Sequence, residues 1–427
     1  RRFTGFEDQA YVITKGMEVY GHEYAMHFPH FSWPEGRNKK QSAVHDKTAA
    51  LGAVYGAYNG WERANWYADA QDDTSDQGAQ TWAREGSWYK AVKREAEAVR
   101  DAAGILDLPG FSRFILSGTG ASAWLSAQIS GKLPNIGRLG LAYFADDQGR
   151  IVTEMSVARL AEDEVLLITA ATAQSHDREW LERHLTPGLS LQDVTNEWST
   201  QILTGPKSRE ILAKITDADL TKPWLTFQNA TIAGQEAFLM RVSFAGELGW
   251  EIHSKCAQTP AIYDALTAAG QPIGLRPFGM FALNSLRIEK GYRAWKGDLS
   301  TDYTLLEGGL DRFIDFAKPD FRGKAALMVQ KQAGMTKRFV TLVVEAGAYD
   351  PPYMSTLWHD GKVVGETTSG YFGHRVQACI ALGMLRADLA VEGTKIEVEI
   401  FGERYLATVQ ADAPLWDPQN TRIRAAL

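Results

Sequence analysis

The sequence predicts an α+β fold that ends in a small β-rich unit. Three observations predict it. Short strand patterns alternate with helical ones from residue 89 onward. Several strand pairs meet at turns rich in Asp and Gly, as antiparallel hairpins do. After about Lys337 helical periodicity stops, and short strands with Gly-rich turns follow.

Taken in order, residues 1 to about 90 read as an irregular connection rich in Gly, Trp and Asp, with 71–78 (QDDTSDQG) a solvated loop. A helix runs from Tyr89 to about Ala103, with Val92, Ala96 and Val99 on one face and Gly104 at its stop. Residues 113–117 form a strand. Gly118-Thr119-Gly120 then turns into a helix carrying Trp124 and Leu125. Residues 141–144 and 151–157 pair around Asp146-Asp147-Gln148-Gly149. A buried strand at 165–169 precedes a helix at 175–184. The plan then repeats: strand 199–204, a Gly205-Pro206 turn, a helix, and strand 238–243. Strands at 338–344, 362–364, 380–384, 395–400 and 405–409 complete the tail. The divisions are 1–88, a connecting segment; 89–336, the α+β domains; and 337–427, a β-barrel-like domain.

Composition narrows the function classes. No run of 18 apolar residues exists, and the first residues, Arg1-Arg2-Phe3-Thr4-Gly5, lack the apolar core of a signal peptide. Net charge is −7 with no long basic run, so no footprint for nucleic acid or an anionic membrane is present. Cys256 and Cys379 are the only cysteines, which excludes a disulfide framework and speaks against a zinc site. A reducing, cytoplasmic setting is expected, or the mitochondrial matrix if the source is eukaryotic. Thirteen Trp residues, several early (Trp33, Trp61, Trp66, Trp82, Trp88), serve packing or stack on a flat ligand.

Three segments carry chemistry. In Phe244-Ala245-Gly246-Glu247-Leu248-Gly249-Trp250, two glycines bracket one carboxylate at a strand end, a geometry that can aim Glu247 into a cavity. A carboxylate there suits a ligand offering two N–H groups side by side, such as a 2-amino-4-oxo-pterin; the alternative is a hairpin turn with a surface glutamate. Residues 279–292 (GMFALNSLRIEKGY) read as a helix capped by Gly291, with Ala282, Leu283 and Leu286 inward. Arg287 there either pairs with Glu289 or serves the ligand. In 149–155 (GRIVTEM), Glu154 shares a strand face with Val152, so it is paired, with Arg159 for example, or functional.

The order of these segments, with 368–374 (TSGYFGH), resembles the glycine-cleavage aminomethyltransferase (T-protein) family. From about residue 20 to the end the chain is most similar to the folate-binding half of dimethylglycine and sarcosine dehydrogenases and oxidases. Residues 60–67 (GWERANWY), 286–292 (LRIEKGY) and 414–418 (PLWDP) carry that likeness. The resemblance implies a three-domain cloverleaf around a central hole that holds tetrahydrofolate. It implies that Glu247 grips the pterin, with Arg287, Tyr292 and Trp250 in the same binding set. It implies a catalytic carboxylate at Glu154, where the family usually has Asp, to orient or deprotonate the folate amine. The one-carbon unit would be an iminium or formaldehyde left by oxidation of an N-methylated amino acid. Lys290, Arg293 and Lys296 are candidates for a polyglutamate tail.

The flavin domain that precedes this half in the dehydrogenases has no counterpart: Gly118-Thr119-Gly120 lacks the third glycine of a dinucleotide motif. FAD is therefore expected only from a separate domain or subunit, and the chain is a piece, a subunit or free-standing. Two other readings stay open: a stand-alone demethylase taking methyl from a sulfonium or similar donor, and a non-catalytic folate-binding module. The latter's iron-sulfur-assembly relatives depend on a Cys motif that this sequence lacks. No metal is expected.

Overall fold

In the computed structural model, which describes residues 6–75 and 80–425, the first ninety residues are more regular than the sequence suggests. Helix α1 (Gln9–Gly21) is capped by Asp8, whose carboxylate accepts the N–H groups of Ala10 and Tyr11 at 3.3 and 3.2 Å. A short helix α2 (His45–Ala50) leads into a hairpin of β1 (Ala53–Tyr58) and β2 (Trp61–Tyr67). Its turn is Asn59-Gly60, both at positive φ (51° and 81°), the pattern two-residue hairpins favour. Polar residues hid these elements. The one buried residue of α1 is Glu18. Along β2, Glu62 and Arg63 are buried, Glu62 on Arg37 and the Asn38 N–H, and Arg63 on the Pro109 carbonyl. The strand therefore shows no apolar/polar alternation. Of the expected loop 71–78, residues 76–78 lie outside the described residues, as do residues 1–5.

Helix α3 (Tyr89–Asp101) buries Ala91, Val92, Ala96 and Val99 and leads directly into β3 (Ala103–Asp107). The chain then leaves that sheet. It builds an antiparallel five-stranded sheet from β4 (Ser112–Ser117), β5 (Leu139–Ala145), β6 (Ile151–Ala161), β7 (Glu164–Thr169) and β8 (Ser190–Asp193), in the order β5-β6-β7-β4-β8. Helices α4 (Ala121–Gln128) and α5 (Gln174–His184) belong to this unit. With β9 (Trp198–Thr204) the chain returns and pairs antiparallel with β3, Gly104 opposite Thr204. Next come α6 (Ser208–Leu212), β10 (Phe227–Ile232), β11 (Gln235–Met240), β12 (Gly249–Lys255), α7 (Thr259–Gly270) and β13 (Leu275–Pro277). They complete a six-stranded sheet, β10-β11-β12-β9-β3-β13, whose one parallel pair is β3 with β13. The five-stranded unit is thus inserted within the six-stranded one.

Helix α8 (Met280–Ile288) buries Ala282, Leu283 and Leu286, as its periodicity requires. It starts at Gly279, where a Cβ would lie 2.2 Å from the Asn65 carbonyl oxygen, so only glycine lets the helix meet β2. After α9 (Lys324–Ala333) comes the C-terminal unit: β14 (Lys337–Val344), β15 (Thr356–His359), β16 (Lys362–Gly373), β17 (Ala378–Arg386), β18 (Lys395–Ile400) and β19 (Glu403–Val409). They close into a six-stranded barrel, β14-β17-β16-β15-β18-β19. The fold is α+β with a small C-terminal β-barrel. The tail beyond β19 runs back to the end of α8, where the Leu415 and Trp416 N–H groups both bond to the Glu289 carbonyl. Trp66 and Trp88 lie in the core between α3 and α8. Among the described residues no helix is long and apolar enough to cross a membrane, and no group of three or more His, Cys, Asp or Glu is placed to hold a metal ion.

Candidate functional site

Glu154 stands on β6 directly across from Tyr143 on β5. Part of its surface remains open. Burial of the carboxyl raises its pKa to about 7, against the Tyr143 hydrogen bond and the nearby charge of Arg293, which favour ionisation; Asp298 adds to the rise. The Tyr143 hydroxyl is itself held well above its usual range by burial and by Glu154. Arg159 is not its partner: it bonds to Glu162 at 2.9 Å. Arg293 lies over the Phe339 ring at 4.3 Å, and its Nε has no hydrogen-bond partner among the described residues. The same holds for Nε1 of Trp295, two residues on. Buried N–H groups are rarely left unpaired. Here two belong to one short segment, and one of them belongs to an arginine whose charge reaches the Glu154 carboxyl.

Arg287 and Glu289 do not pair. Residues two apart on a helix point in different directions, and each finds its own partner. Arg287 is buried and donates from Nη1 to Asp298 at 2.6 Å and to the Tyr292 carbonyl at 3.0 Å, and from Nη2 to Ser369 at 2.8 Å. Asp298 also accepts from Thr368 at 2.6 Å and from the Ala294 N–H at 2.8 Å. Arg287 further lies 5.6 Å from the centre of the Tyr371 ring. These bonds fasten the loop that carries Arg293 and Trp295 between α8 and barrel strand β16.

Glu247 lies in the turn before β12. Gly246 takes φ +76°, and a Cβ there would meet Lys290 at 2.5 Å, so the turn needs glycine at that position. The Glu247 side chain is fully buried, and both oxygens accept N–H donors. Oε1 takes Arg375 Nη1 and Trp416 Nε1, each at 2.8 Å, and Oε2 takes Arg422 Nε at 2.5 Å. Arg375 also donates to Glu289 from Nε and from its backbone N–H. The Trp416 ring sits between the guanidinium groups of Arg375 and Arg422, at 5.0 and 5.2 Å. Arg375, Trp416 and Arg422 are the partners of Glu247 that sequence reasoning missed. Each is more than 120 residues from Glu247, and no local pattern links them.

Tyr292 connects the two halves. Its carbonyl accepts from Arg287, while its ring stacks on Phe244 at 5.7 Å and 23° beside the Glu247 turn. Burial raises its hydroxyl pKa. Glu154, Arg287, Tyr292 and Glu247 are thus brought to one region around α8. Trp250 is not: its side chain lies in the core of the six-stranded sheet, flanked by Arg209 and Arg241 at 5.8 and 5.9 Å. Of the three basic residues suggested for a polyglutamate tail, Lys290 is buried and committed to the Trp416 and Asp417 carbonyls and to Asn420. Arg293 is internal, and Lys296 is exposed.

Known proteins share this architecture. The GCVT N-terminal domain family matches residues 44–318, the glycine cleavage T-protein C-terminal barrel domain matches 337–417, and the FAD dependent oxidoreductase central domain matches 1–42. Mitochondrial dimethylglycine dehydrogenase of Mus musculus is 30% identical over 431 residues, covering 99% of this chain and 49% of that protein. The 4-methylaminobutanoate oxidase (formaldehyde-forming) of Paenarthrobacter nicotinovorans is 31% identical over 434 residues, with 99% and 52% covered. An aminomethyltransferase of Geobacillus kaustophilus is 28% identical over 335 residues, with 76% and 92% covered. The crystal structure of glycine cleavage system aminomethyltransferase T from Bartonella henselae superposes with a TM-score of 0.78 at 22% identity, covering 89% of this chain and 98% of that one. The chain spans about half the length of the dehydrogenase and oxidase relatives it matches.

Proposed function

Because the chain belongs to the glycine cleavage T-protein family, we propose that it transfers a one-carbon unit to tetrahydrofolate, taking an iminium- or formaldehyde-derived carbon from an N-methylated amino acid to give methylenetetrahydrofolate. The dehydrogenase and oxidase relatives support that donor class, with oxidation carried out by a flavoprotein domain or subunit. The observation that carries the reading is Glu154, a half-buried residue facing Tyr143 across β5 and β6, whose carboxyl is raised by burial to a pKa of about 7. A carboxyl so tuned can take up or release a proton at neutral pH, as a general acid–base group must.

The residues present fit such a ligand. Glu247 already receives N–H donors side by side on its two oxygens, the pattern a pterin edge offers; Trp416 and Arg422 supply two of them here. The N–H groups of Arg293 and Trp295 that lack partners call for acceptors, and the charge of Arg293 reaches the Glu154 carboxyl. Tetrahydrofolate, when bound, supplies the nitrogens that take the carbon. The chain's own residues then have distinct tasks. Glu154 takes the proton released as the carbon–nitrogen bond forms, and Tyr143 fixes its carboxyl. Arg293 tunes its charge, and Arg287 with Asp298 holds that loop in place. Glu247 and Tyr292 orient the ring. Holding both reactants in one region supplies the proximity advantage.

The test is calorimetric titration of the chain with tetrahydrofolate, then single-turnover formation of methylenetetrahydrofolate from formaldehyde at saturating folate. Binding followed by transfer faster than the reaction without protein is expected. No heat of binding and no acceleration would overturn the reading.

A further inference from the structure

The segment after β19 is held by polar bonds and not by a core. Residues 411–425 form no helix or strand, and Ile423 is the one buried side chain among them. Backbone with so few buried apolar contacts belongs to the low-stability end of a structure and opens readily. The buried ammonium of Lys290 donates to the carbonyls of Trp416 and Asp417 at 3.0 and 2.9 Å and to the Asn420 side chain at 2.8 Å. Asp417 accepts the N–H groups of Thr421 and Arg422 at 2.8 and 3.0 Å, which folds the segment into a turn. That turn sets Trp416 Nε1 and Arg422 Nε on the two oxygens of Glu247.

A weakly held segment thus covers a carboxylate that is fully buried. The contact can open without stranding a charge. Oε1 of Glu247 carries Arg375 as well as Trp416, so the carboxylate keeps a buried cation when the segment lifts. Arg422, whose side chain is already 35% exposed, passes to water. Two N–H groups leave, one from each oxygen, and a 2-amino-4-oxo-pterin edge brings two N–H groups in plane. The buried oxygens are paired before and after, so the exchange avoids the penalty of an unsatisfied acceptor. We propose that residues 411–425 are a latch that competes with the pterin for Glu247, Trp416 and Arg422 standing where the pterin N–H groups go, and that tetrahydrofolate binds by displacing it. The inference rests on the one-carbon reading above, in which Glu247 takes the pterin, and adds a competitor for that place built into the chain. Apparent affinity is then the intrinsic affinity reduced by the fraction of molecules whose latch is open.

The test uses the full chain and tetrahydrofolate in two measurements. In hydrogen exchange read by mass spectrometry, peptides within 411–425 should exchange about tenfold faster at saturating tetrahydrofolate, while the Glu247 turn exchanges no faster. In calorimetry, two variants loosen the latch and leave Glu247 in place. Trp416→Phe keeps a ring between the two guanidiniums and removes the donor, and Asp417→Ala undoes the turn. Each should bind tetrahydrofolate more tightly than the parent, by up to about tenfold. A segment that only props up the binding site gives the opposite sign. Unchanged or slower exchange in 411–425 on binding, or equal or weaker binding by either folded variant, would overturn the latch and leave the one-carbon reading standing. No heat of binding from the parent or from either variant would overturn both.

Discussion

Arg375 lies between two buried carboxylates, donating to Glu247 through Nη1 and to Glu289 through Nε and its own backbone N–H. It is the central cation of a network joining the Glu247 turn, the end of α8, the barrel and the C-terminal tail. Arg375→Met should therefore be severe, because it leaves two carboxylates buried with fewer partners. A loss of about 3–5 kcal/mol is expected, read as a fall in the urea midpoint at unchanged m-value. A midpoint within error of the parent's would show that water replaces the arginine.

Glu247 and the tail give opposite predictions for folate. Glu247→Gln removes the charge that holds side-by-side N–H donors, and should weaken tetrahydrofolate binding by about 2–4 kcal/mol. Arg422→Gln removes a donor from the same carboxylate and leaves Arg375 in place. If the pterin exchanges with the tail, Arg422→Gln should tighten binding, up to about tenfold. Calorimetry on both variants decides the point, and equal weakening in both would make the tail part of the binding surface.

Glu154 should give transfer an inflection near pH 7, with activity rising as the carboxyl ionises. Glu154→Gln should slow single-turnover transfer by about 10²–10⁴ and remove the inflection, while folate affinity stays nearly intact. Glu154→Asp should keep much of the activity. Arg293→Met removes a positive charge that favours the ionised form, so the inflection should move upward. An unchanged pH profile in Arg293→Met would separate Arg293 from Glu154.

Glu95 predicts how stability depends on pH. It is buried, accepts the Tyr67 and Gly279 N–H groups at 2.6 and 2.8 Å, and burial raises its pKa to about 8. A carboxyl raised in the folded state binds a proton that the unfolded chain has released. Its contribution is therefore complete below pH 4–5 and is lost as pH rises through 8, by at most about 1.4 kcal/mol per pH unit. The urea midpoint should fall between pH 5 and 9, and less so in Glu95→Gln, whatever that variant's starting stability. An equal fall in both would assign the pH dependence to other groups.

The fold was legible wherever periodicity and turn chemistry agreed. The α3 face of Val92, Ala96 and Val99, the hairpin around Asp146-Asp147-Gln148-Gly149 and five of the six barrel strands follow from local pattern; β15 was not read, and β16 runs on to Gly373 where the sequence reading stopped at 364. The β1–β2 hairpin did not show itself despite Asn59-Gly60, because Glu62 and Arg63 on β2 are buried by partners distant in sequence. Of the candidate site, Glu154 and Glu247 stood out in the sequence, where a charge stands among apolar residues or glycines. It was not legible at Arg375 or Arg422, whose roles come from contacts made 128 and 175 residues away. Nor could local pattern show that Trp250 belongs to a core.

The insertion of the five-stranded unit between β3 and β9 sets an order on synthesis. As the chain leaves the ribosome, β3 emerges about a hundred residues before its antiparallel partner β9, and its parallel partner β13 comes later still. The inserted sheet, β4 to β8, can close while β3 waits with both edges open. Unpaired strand edges are what aggregation recruits. Helix α3, joined directly to β3 and packed on it, is already made and can shield that strand, with Val44 and Trp66 of the preceding segment, until the second half of its sheet arrives.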